Sequence, residues 1–356
     1  MEIGNLTNAA QAAWRVPDVN GGRCVHSRLE TAQCRRCVDA CPRDAWVMDD
    51  EMLGIDTSAC DGCGLCGPVC TEEAIRFDFL PDIRMRRDAG EFGFVCCEYA
   101  VRDEVPGRVP CVHATSLANL LRLYRRGVRR LFVSPGDCPT CPRGAGGSLD
   151  VLLNRLNSLL VARGLPSLLM VTLAARPWQE LRESMEDASR AAVSRRGFLR
   201  GATARAVDKA SSRFLELAGP EDADLAVPPG RILPRTDARQ PAFFSPAMNP
   251  LRCNGCDACV RICPHGAVAM AAGGDAYEID ADACSGCGLC VDACDRDAMS
   301  VDSWTATTDS ILPLEKGRCV GCGADFHLPA AQGRPREYCR ICEATGHYRS
   351  LFQVVD

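Results

Sequence analysis

Only two lysines, Lys209 and Lys316, occur among 356 residues, and the net charge is −5. That balance leaves no basic footprint for a phosphate backbone, so nucleic acid is not expected as a partner. Long apolar runs are missing too. The longest, Leu165 to Ala175, falls short of the roughly 18 to 20 residues that cross a bilayer, so no transmembrane segment is expected. The opening MEIGNLTNAAQAAW carries neither the basic nor the apolar region of a secretion signal, and a reducing, cytoplasmic setting is the expectation. No G-x-G-x-x-G joins a strand candidate to a helix candidate, so neither flavin nor nicotinamide binding is motivated.

Against these absences stand 25 cysteines. A chain of this length does not need disulfides in place of a core, and an odd number of thiols leaves at least one unpaired. Most of them fall in C-x2-C or C-x2-C-x2-C-x3-C runs, the spacings of iron–sulfur and zinc ligation. Two stretches repeat one another, one starting at Cys34 (CRRCVDACPRDAW) and one at Cys256 (CDACVRICPHGAV). In each, an alternating apolar segment with a polar turn separates two cysteine runs and reads as a short hairpin. The turn is Asp49, Asp50 and Glu51 in the first copy and Gly273-Gly274-Asp275 in the second.

In the second copy Cys253, Cys256, Cys259 and Cys263-Pro264 are followed by Cys284, Cys287, Cys290 and Cys294. These runs resemble the bacterial two-cluster 4Fe-4S ferredoxins. The resemblance implies that Cys253, Cys256, Cys259 and Cys294 hold one cluster and that Cys284, Cys287, Cys290 and Cys263 hold the other, the last thiolate of each run serving the opposite cubane. Asp295 stands where that family often has proline. Carried to the first copy, with Val25 to Gln33 as an insertion, it implies Cys24, Cys34, Cys37 and Cys70 on one cluster, and Cys60, Cys63, Cys66 and Cys41 on its partner. A free Cys24 beside an altered or three-iron cluster is the other reading, and His26 reads as a solvent-facing neighbour rather than a ligand.

Between the copies, Phe94-Val95, Arg130 to Val133 and Leu168 to Thr172 read as strands, and Ser116 to Arg126 and Ser148 to Arg163 as helices. That βαβαβ order predicts a small parallel sheet, whose strand ends gather ligands. At those ends stand Cys96-Cys97-Glu98-Tyr99, Cys111 and Gly136-Asp137-Cys138-Pro139-Thr140-Cys141, which make the block similar to the small iron–sulfur (delta) subunit of methyl-viologen-reducing hydrogenases. The resemblance implies a 2Fe-2S cluster on Cys96 or Cys97 with Cys111, Cys138 and Cys141. A structural zinc, or a redox-active Cys138/Cys141 dithiol, stays open. His113 reads as a helix-start residue.

Near the C-terminus, Cys319-x2-Cys322 and Cys339-x2-Cys342 are separated by sixteen residues, a zinc-ribbon spacing. Zinc is expected there, a rubredoxin-like iron being the rival, with His327 and His347 as bystanders. Ser194-Arg195-Arg196-Gly197-Phe198-Leu199 resembles a twin-arginine export motif, but no apolar region follows it, and it reads as the start of a helix running to Leu217.

The expected architecture is α+β and multidomain. Residues 1–90 form a dicluster ferredoxin-like module, 91–177 a small α/β parallel-sheet domain, and 178–245 a helical segment with a proline-rich linker. A second dicluster module follows at 246–305, and a zinc-ribbon-like module at 306–356. The expected function is iron–sulfur electron transfer through up to four 4Fe-4S clusters, to or from a partner redox protein or oxidoreductase subunit. A thiol/disulfide oxidoreductase built on Cys138/Cys141 and a scaffold or maturation factor are the alternatives.

Overall fold

In chain order the first cysteine stretch contributes strands β1 (Asp18–Val19), β2 (Trp46–Met48), β3 (Leu53–Ile55) and β4 (Ile75–Arg76). The computed structural model describes residues 16–48, 53–77, 81–86, 89–144, 148–187, 227–306, 310–333 and 336–346. The polar turn at Asp49 to Glu51, the expected helix from Ser194 to Leu217 with its Ser194–Leu199 motif, and His347 lie outside the described residues. The chain divides into two compact units, Met1–Ser27 with Arg35–Leu233, and Arg28–Cys34 with Pro234–Asp356.

In the first unit, β2 and β3 form a hairpin with Trp46 opposite Ile55. β1 pairs antiparallel with β4, bringing the two ends of the cysteine stretch together. Trp46 and Ile75 are buried against Cys37 and Cys66, so the apolar cover of this stretch is thin and built on its thiols.

The same unit continues with β5 (Asp82–Arg86), β6 (Gly90–Cys97), β7 (Arg108–Val109), β8 (Arg130–Ser134), β9 (Leu169–Thr172) and β10 (Glu186–Asp187). Their spatial order is β10-β5-β6-β8-β9, with β7 beside β6. β6, β8 and β9 run parallel because helices Leu117–Arg125 and Ser148–Ala162 return the chain between them. The first helix buries Leu120, Leu121 and Tyr124, and the second Leu153, Leu156 and Leu160, the three- and four-residue spacing visible in the sequence. Ser116 caps the first, its Oγ accepting the Asn119 N–H at 3.2 Å.

β5 was assigned from sequence to the first cysteine module, yet it pairs antiparallel with β6. Its alternation, Asp-Ile-Arg-Met-Arg, suits a strand with one wetter face at the side of a parallel sheet. The domain also extends past residue 177: β10 pairs with β5, and Trp178 of helix Ala175–Glu183 is fully buried. Its ring packs edge-on to Phe94 at 5.7 Å and its Nε1–H donates to Phe132 O at 3.0 Å.

The second unit contains β11 (Pro241–Met248), β12 (Val268–Met270), β13 (Ala276–Ile279), β14 (Met299–Ala306), β15 (Ser310–Arg318) and β16 (Asp325–Pro329). The prolines expected to mark an extended linker are folded. Pro229–Ile232 is a helical turn of the first unit with Pro229, Gly230 and Ile232 buried. Pro241 opens β11, which pairs with β14 along its length, and a proline in the first position of a strand disturbs the ladder least. β12 and β13 make the second hairpin, Val268 opposite Ile279. The C-terminal segment is joined to it: β13 pairs with β15, which pairs with β16, giving one four-stranded sheet.

Candidate iron–sulfur and metal centres

Three of the cysteine runs turn their first three thiols into one cleft, which the last thiol of another run joins. In the second unit Cys253, Cys256, Cys259 and Cys294 line one apolar cleft with Tyr277 and Met299. Cys263, Cys284, Cys287 and Cys290 line a second. In the first unit Cys41, Cys60, Cys63 and Cys66 line a third, under Trp46, Ile55 and Phe77. Burial pushes the Cys63 and Cys259 thiols up to about 12 and raises Cys66 and Cys290 as well. Thiols so placed are poor nucleophiles, and a metal must deprotonate them to bind.

Of the remaining first-copy cysteines, Cys37 packs with Cys41, Cys66 and Cys70. Cys24 lies close enough to Cys70 that its charge adds to the upward push of burial on that thiol. Cys34 ends the segment Arg28–Cys34, which belongs to the second unit. His26 is half-buried in the turn Val25–Ser27.

Cys41, Cys70, Cys263 and Cys294 share a turn that sequence reasoning passed over. Each sulfur accepts the backbone N–H of an alanine four residues on: Ala45 at 3.4 Å, Ala74 at 3.3 Å, Ala267 at 3.2 Å and Ala298 at 3.2 Å. One residue before each alanine the backbone is left-handed, at Asp44 (φ 49), Glu73 (φ 48), Gly266 (φ 66) and Asp297 (φ 45). For the three non-glycines that conformation costs roughly 1–2 kcal/mol each. It aims a donor at sulfur, the kind of contact that sets cluster potentials. The signal in the sequence was C-x2-C-x3-C-x3-A, written four times.

Ser285 Oγ is buried in the Cys284 cleft and has no protein hydrogen-bond partner, which a sulfide-bearing group among those thiols would supply. Gly62, Gly64 and Gly67 stand at G-x-G-x-x-G spacing inside a cysteine run. Positive φ at Gly62 (66) and Gly64 (80) turns the backbone around the thiols, so the spacing serves the cysteines and not a dinucleotide.

The middle site is a cavity of about 240 Å³ lined by Cys97, Cys111, Cys138 and Cys141, with Tyr99, His113 and Arg143. It opens where β6 and β8 end, as parallel sheets favour. The sequence left Cys96 and Cys97 as equals, and strand alternation separates them. Cys97 faces the cavity, whereas Cys96 is fully buried on the other face among Phe92, Phe94 and Trp178. His113 Nδ1 accepts the Leu149 N–H at 3.2 Å, so the neutral ring carries its proton on Nε2, 3.5 Å from Cys138 Sγ. Burial holds its pKa below the ordinary value, against the pull of Asp150. His113 stands in the short helical turn Val112–Ala114, as expected, and there also donates to Cys138. Burial first, then the charges of Cys97 and Cys141, raise Cys138, the opposite of an activated nucleophile.

At the C-terminus, the ligand atoms of Cys319, Cys322, Cys339 and Cys342 all lie within 4.8 Å of one another. Among the described residues they are the one group of potential ligands drawn in so closely. Cys322 Sγ and Cys339 Sγ are 3.8 Å apart, and a tetrahedron with metal–sulfur bonds of about 2.3 Å has edges of about 3.8 Å. The thiols fit a single closed S4 ion. Chelating that ion with a strong zinc chelator is expected to release about one metal per chain and to melt helix Arg340–Thr345. Metal analysis and circular dichroism before and after treatment check this, and unchanged helicity after complete metal removal would count against it.

His327, expected to be a bystander, ties this segment to a cysteine loop. Its Nε2 lies 2.8 Å from Asp257 Oδ1, which also accepts the buried Tyr277 hydroxyl at 2.7 Å. Gln332 Nε2 donates to Pro250 O at 2.8 Å and Cys253 O at 2.6 Å. Gly255, at φ +67, sits so near that an added Cβ would lie 2.0 Å from His327 O. His327→Ala is expected to lower stability by about 1–3 kcal/mol by leaving Asp257 and Tyr277 short of a partner. Chemical denaturation of the metal-loaded protein measures it, with His327→Gln recovering part of the loss.

Comparison with known proteins agrees with the second unit's geometry. Residues 252–298 match the 4Fe-4S dicluster domain family. Over 73 residues, 19% of this chain, the sequence is 30% identical to the ferredoxin-type protein NapF of Escherichia coli K12, and equally to those of the O6:H1 and O157:H7 strains. The chain spans 43% of the length of these curated relatives. The chain thus carries a ferredoxin-type 4Fe-4S domain. No helix among the described residues is long and apolar enough to cross a membrane.

Proposed function

We propose that this chain is an electron-transfer protein or subunit with four 4Fe-4S centres, a 2Fe-2S centre in the middle cavity and zinc in the C-terminal segment. Its electrons come from or pass to a separate redox protein. One observation carries the reading: Cys294 shares a cleft with Cys253, Cys256 and Cys259, and Cys263 shares one with Cys284, Cys287 and Cys290. Zinc sites draw their ligands as C-x2-C pairs, whereas two neighbouring cubanes take three thiols from one run and the fourth from the other.

The sets proposed for the cubanes are Cys253, Cys256, Cys259 and Cys294; Cys263, Cys284, Cys287 and Cys290; Cys41, Cys60, Cys63 and Cys66; and Cys24, Cys34, Cys37 and Cys70. In the middle cavity Cys97, Cys111, Cys138 and Cys141 are the proposed ligands, Cys97 taking the place for which Cys96 was an equal candidate, and Cys319, Cys322, Cys339 and Cys342 hold zinc. When bound, each iron–sulfur centre supplies a one-electron couple. The chain's own residues set its conditions. Trp46, Ile55 and Phe77 keep water from one set of thiols, Tyr277 and Met299 from another, and the four alanine N–H groups offset negative charge at sulfur.

Iron and acid-labile sulfide analysis with a spectroscopic redox titration tests the proposal. About sixteen irons from the cubanes and about two more from the middle centre are expected, all reducible in one-electron steps. Fewer than about eight irons in fully reconstituted protein would overturn it.

A further inference from the structure

Arg143 is a buried cation whose three hydrogen-bonding groups reach three different cysteine loops. Its Nε donates to Asp61 Oδ2 at 3.0 Å, its Nη1 to Pro110 O at 2.7 Å and its Nη2 to Glu98 Oε1 at 2.9 Å. Its side chain is 3% exposed. Asp61 lies between Cys60 and Cys63, and its other oxygen accepts the Cys63 N–H at 3.2 Å. Glu98 follows Cys97, Pro110 precedes Cys111, and Arg143 itself stands two residues after Cys141. One planar guanidinium thus holds the Cys60–Cys63 loop of the first cysteine module against three loops of the middle cavity. The fork geometry matters, because an ammonium could not serve three acceptors in these directions. Beside it Cys63, Leu65 and Cys111 pack in one apolar cluster with Ala114 at its edge.

A buried charge of this kind is weak evidence for stability, since apolar packing often serves as well. Its position asks for another account. A thiol of the third cleft and a thiol of the middle cavity thus share a single apolar cluster.

We propose that the contact between Cys63 and Cys111 is an electron-transfer junction joining the centre on Cys41, Cys60, Cys63 and Cys66 to the centre on Cys97, Cys111, Cys138 and Cys141, with Arg143 as its positioning residue. The inference rests on the reading that both cysteine sets hold iron–sulfur centres. One electron leaves the reduced cubane, which is oxidised, and enters the oxidised 2Fe-2S centre, which is reduced, and no proton or bond is exchanged. The middle domain is then an outlet or inlet of the first module, and not a separate redox site.

The test is a reductive titration of the full-length, cluster-loaded protein with titanium(III) citrate, followed by electron paramagnetic resonance. Two paramagnetic centres in contact split or broaden each other's signals, so the middle-centre signal is expected to lose its isolated shape as the neighbouring cubane becomes reduced. In Arg143→Gln and Arg143→Lys proteins with unchanged iron and sulfide content, that splitting is expected to be lost. Additive, unperturbed signals from two fully occupied centres in the natural protein would overturn the junction while leaving the electron-transfer reading intact. Iron analysis and Mössbauer spectra lacking the middle centre would overturn the junction together with the reading of the middle cavity as an iron–sulfur site. Splitting retained in both variants would overturn the role of Arg143, and because the natural protein is measured by itself, a variant that fails to fold does not decide the matter.

Discussion

Cys263→Ser is expected to strip the cluster of the run it does not belong to. Cys263 closes the run that begins at Cys253, yet it lines the cleft of Cys284, Cys287 and Cys290. Serine lacks the soft thiolate that holds iron, so about four irons should be lost, and the remaining cubane should be the one on Cys253, Cys256, Cys259 and Cys294. Cys294→Ser should give the mirror result. The two variants separate by iron content and by which reduction potential disappears from a titration. Loss of the Cys253 cluster in the Cys263→Ser protein would show that each run serves its own cubane, and the crossed assignment would be wrong.

The second large effect contrasts neighbours. Cys97→Ser is expected to abolish the middle centre altogether, since Cys97 is the one member of the pair that lines the cavity. Cys96→Ser should leave that centre's spectrum unchanged. It places a hydroxyl among Phe92, Phe94 and Trp178, where an unsatisfied polar group costs about 1–3 kcal/mol. Spectroscopy reads the first effect and a denaturation curve the second. A middle centre that survives Cys97→Ser but not Cys96→Ser would reverse the assignment.

How much of this was legible depended on whether the signal was local. The parallel strands at Phe94-Val95, Arg130 to Val133 and Leu168 to Thr172 could be read because apolar runs alternate there with amphipathic helices. Asp82–Arg86 was misassigned because pairing with β6 is a long-range choice that its own five residues do not announce. The proline stretch misled for a related reason: Pro241 opens a strand whose partner, β14, lies far along the chain. At the sites, thiol spacing is covalent information and is printed in the sequence. The contacts of His113, Arg143 and His327 are not, since each partners residues from other loops. The C-x3-A turns are the exception. They are local, they repeat, and reading only the cysteines hid them.

The pairing of β13 with β15 has a consequence for any attempt to take the chain apart. A fragment ending after Ala306 keeps every cysteine of the second dicluster region but removes the strand that covers β13. Tyr277, fully buried in the whole chain, sits on that newly bared edge. Unpaired N–H and C=O groups beside an aromatic ring are a template for another copy of the same strand. The fragment boundary most natural on the cysteine map would therefore yield a sticky, self-associating product, and a cut behind Cys342 is the safer place to divide it.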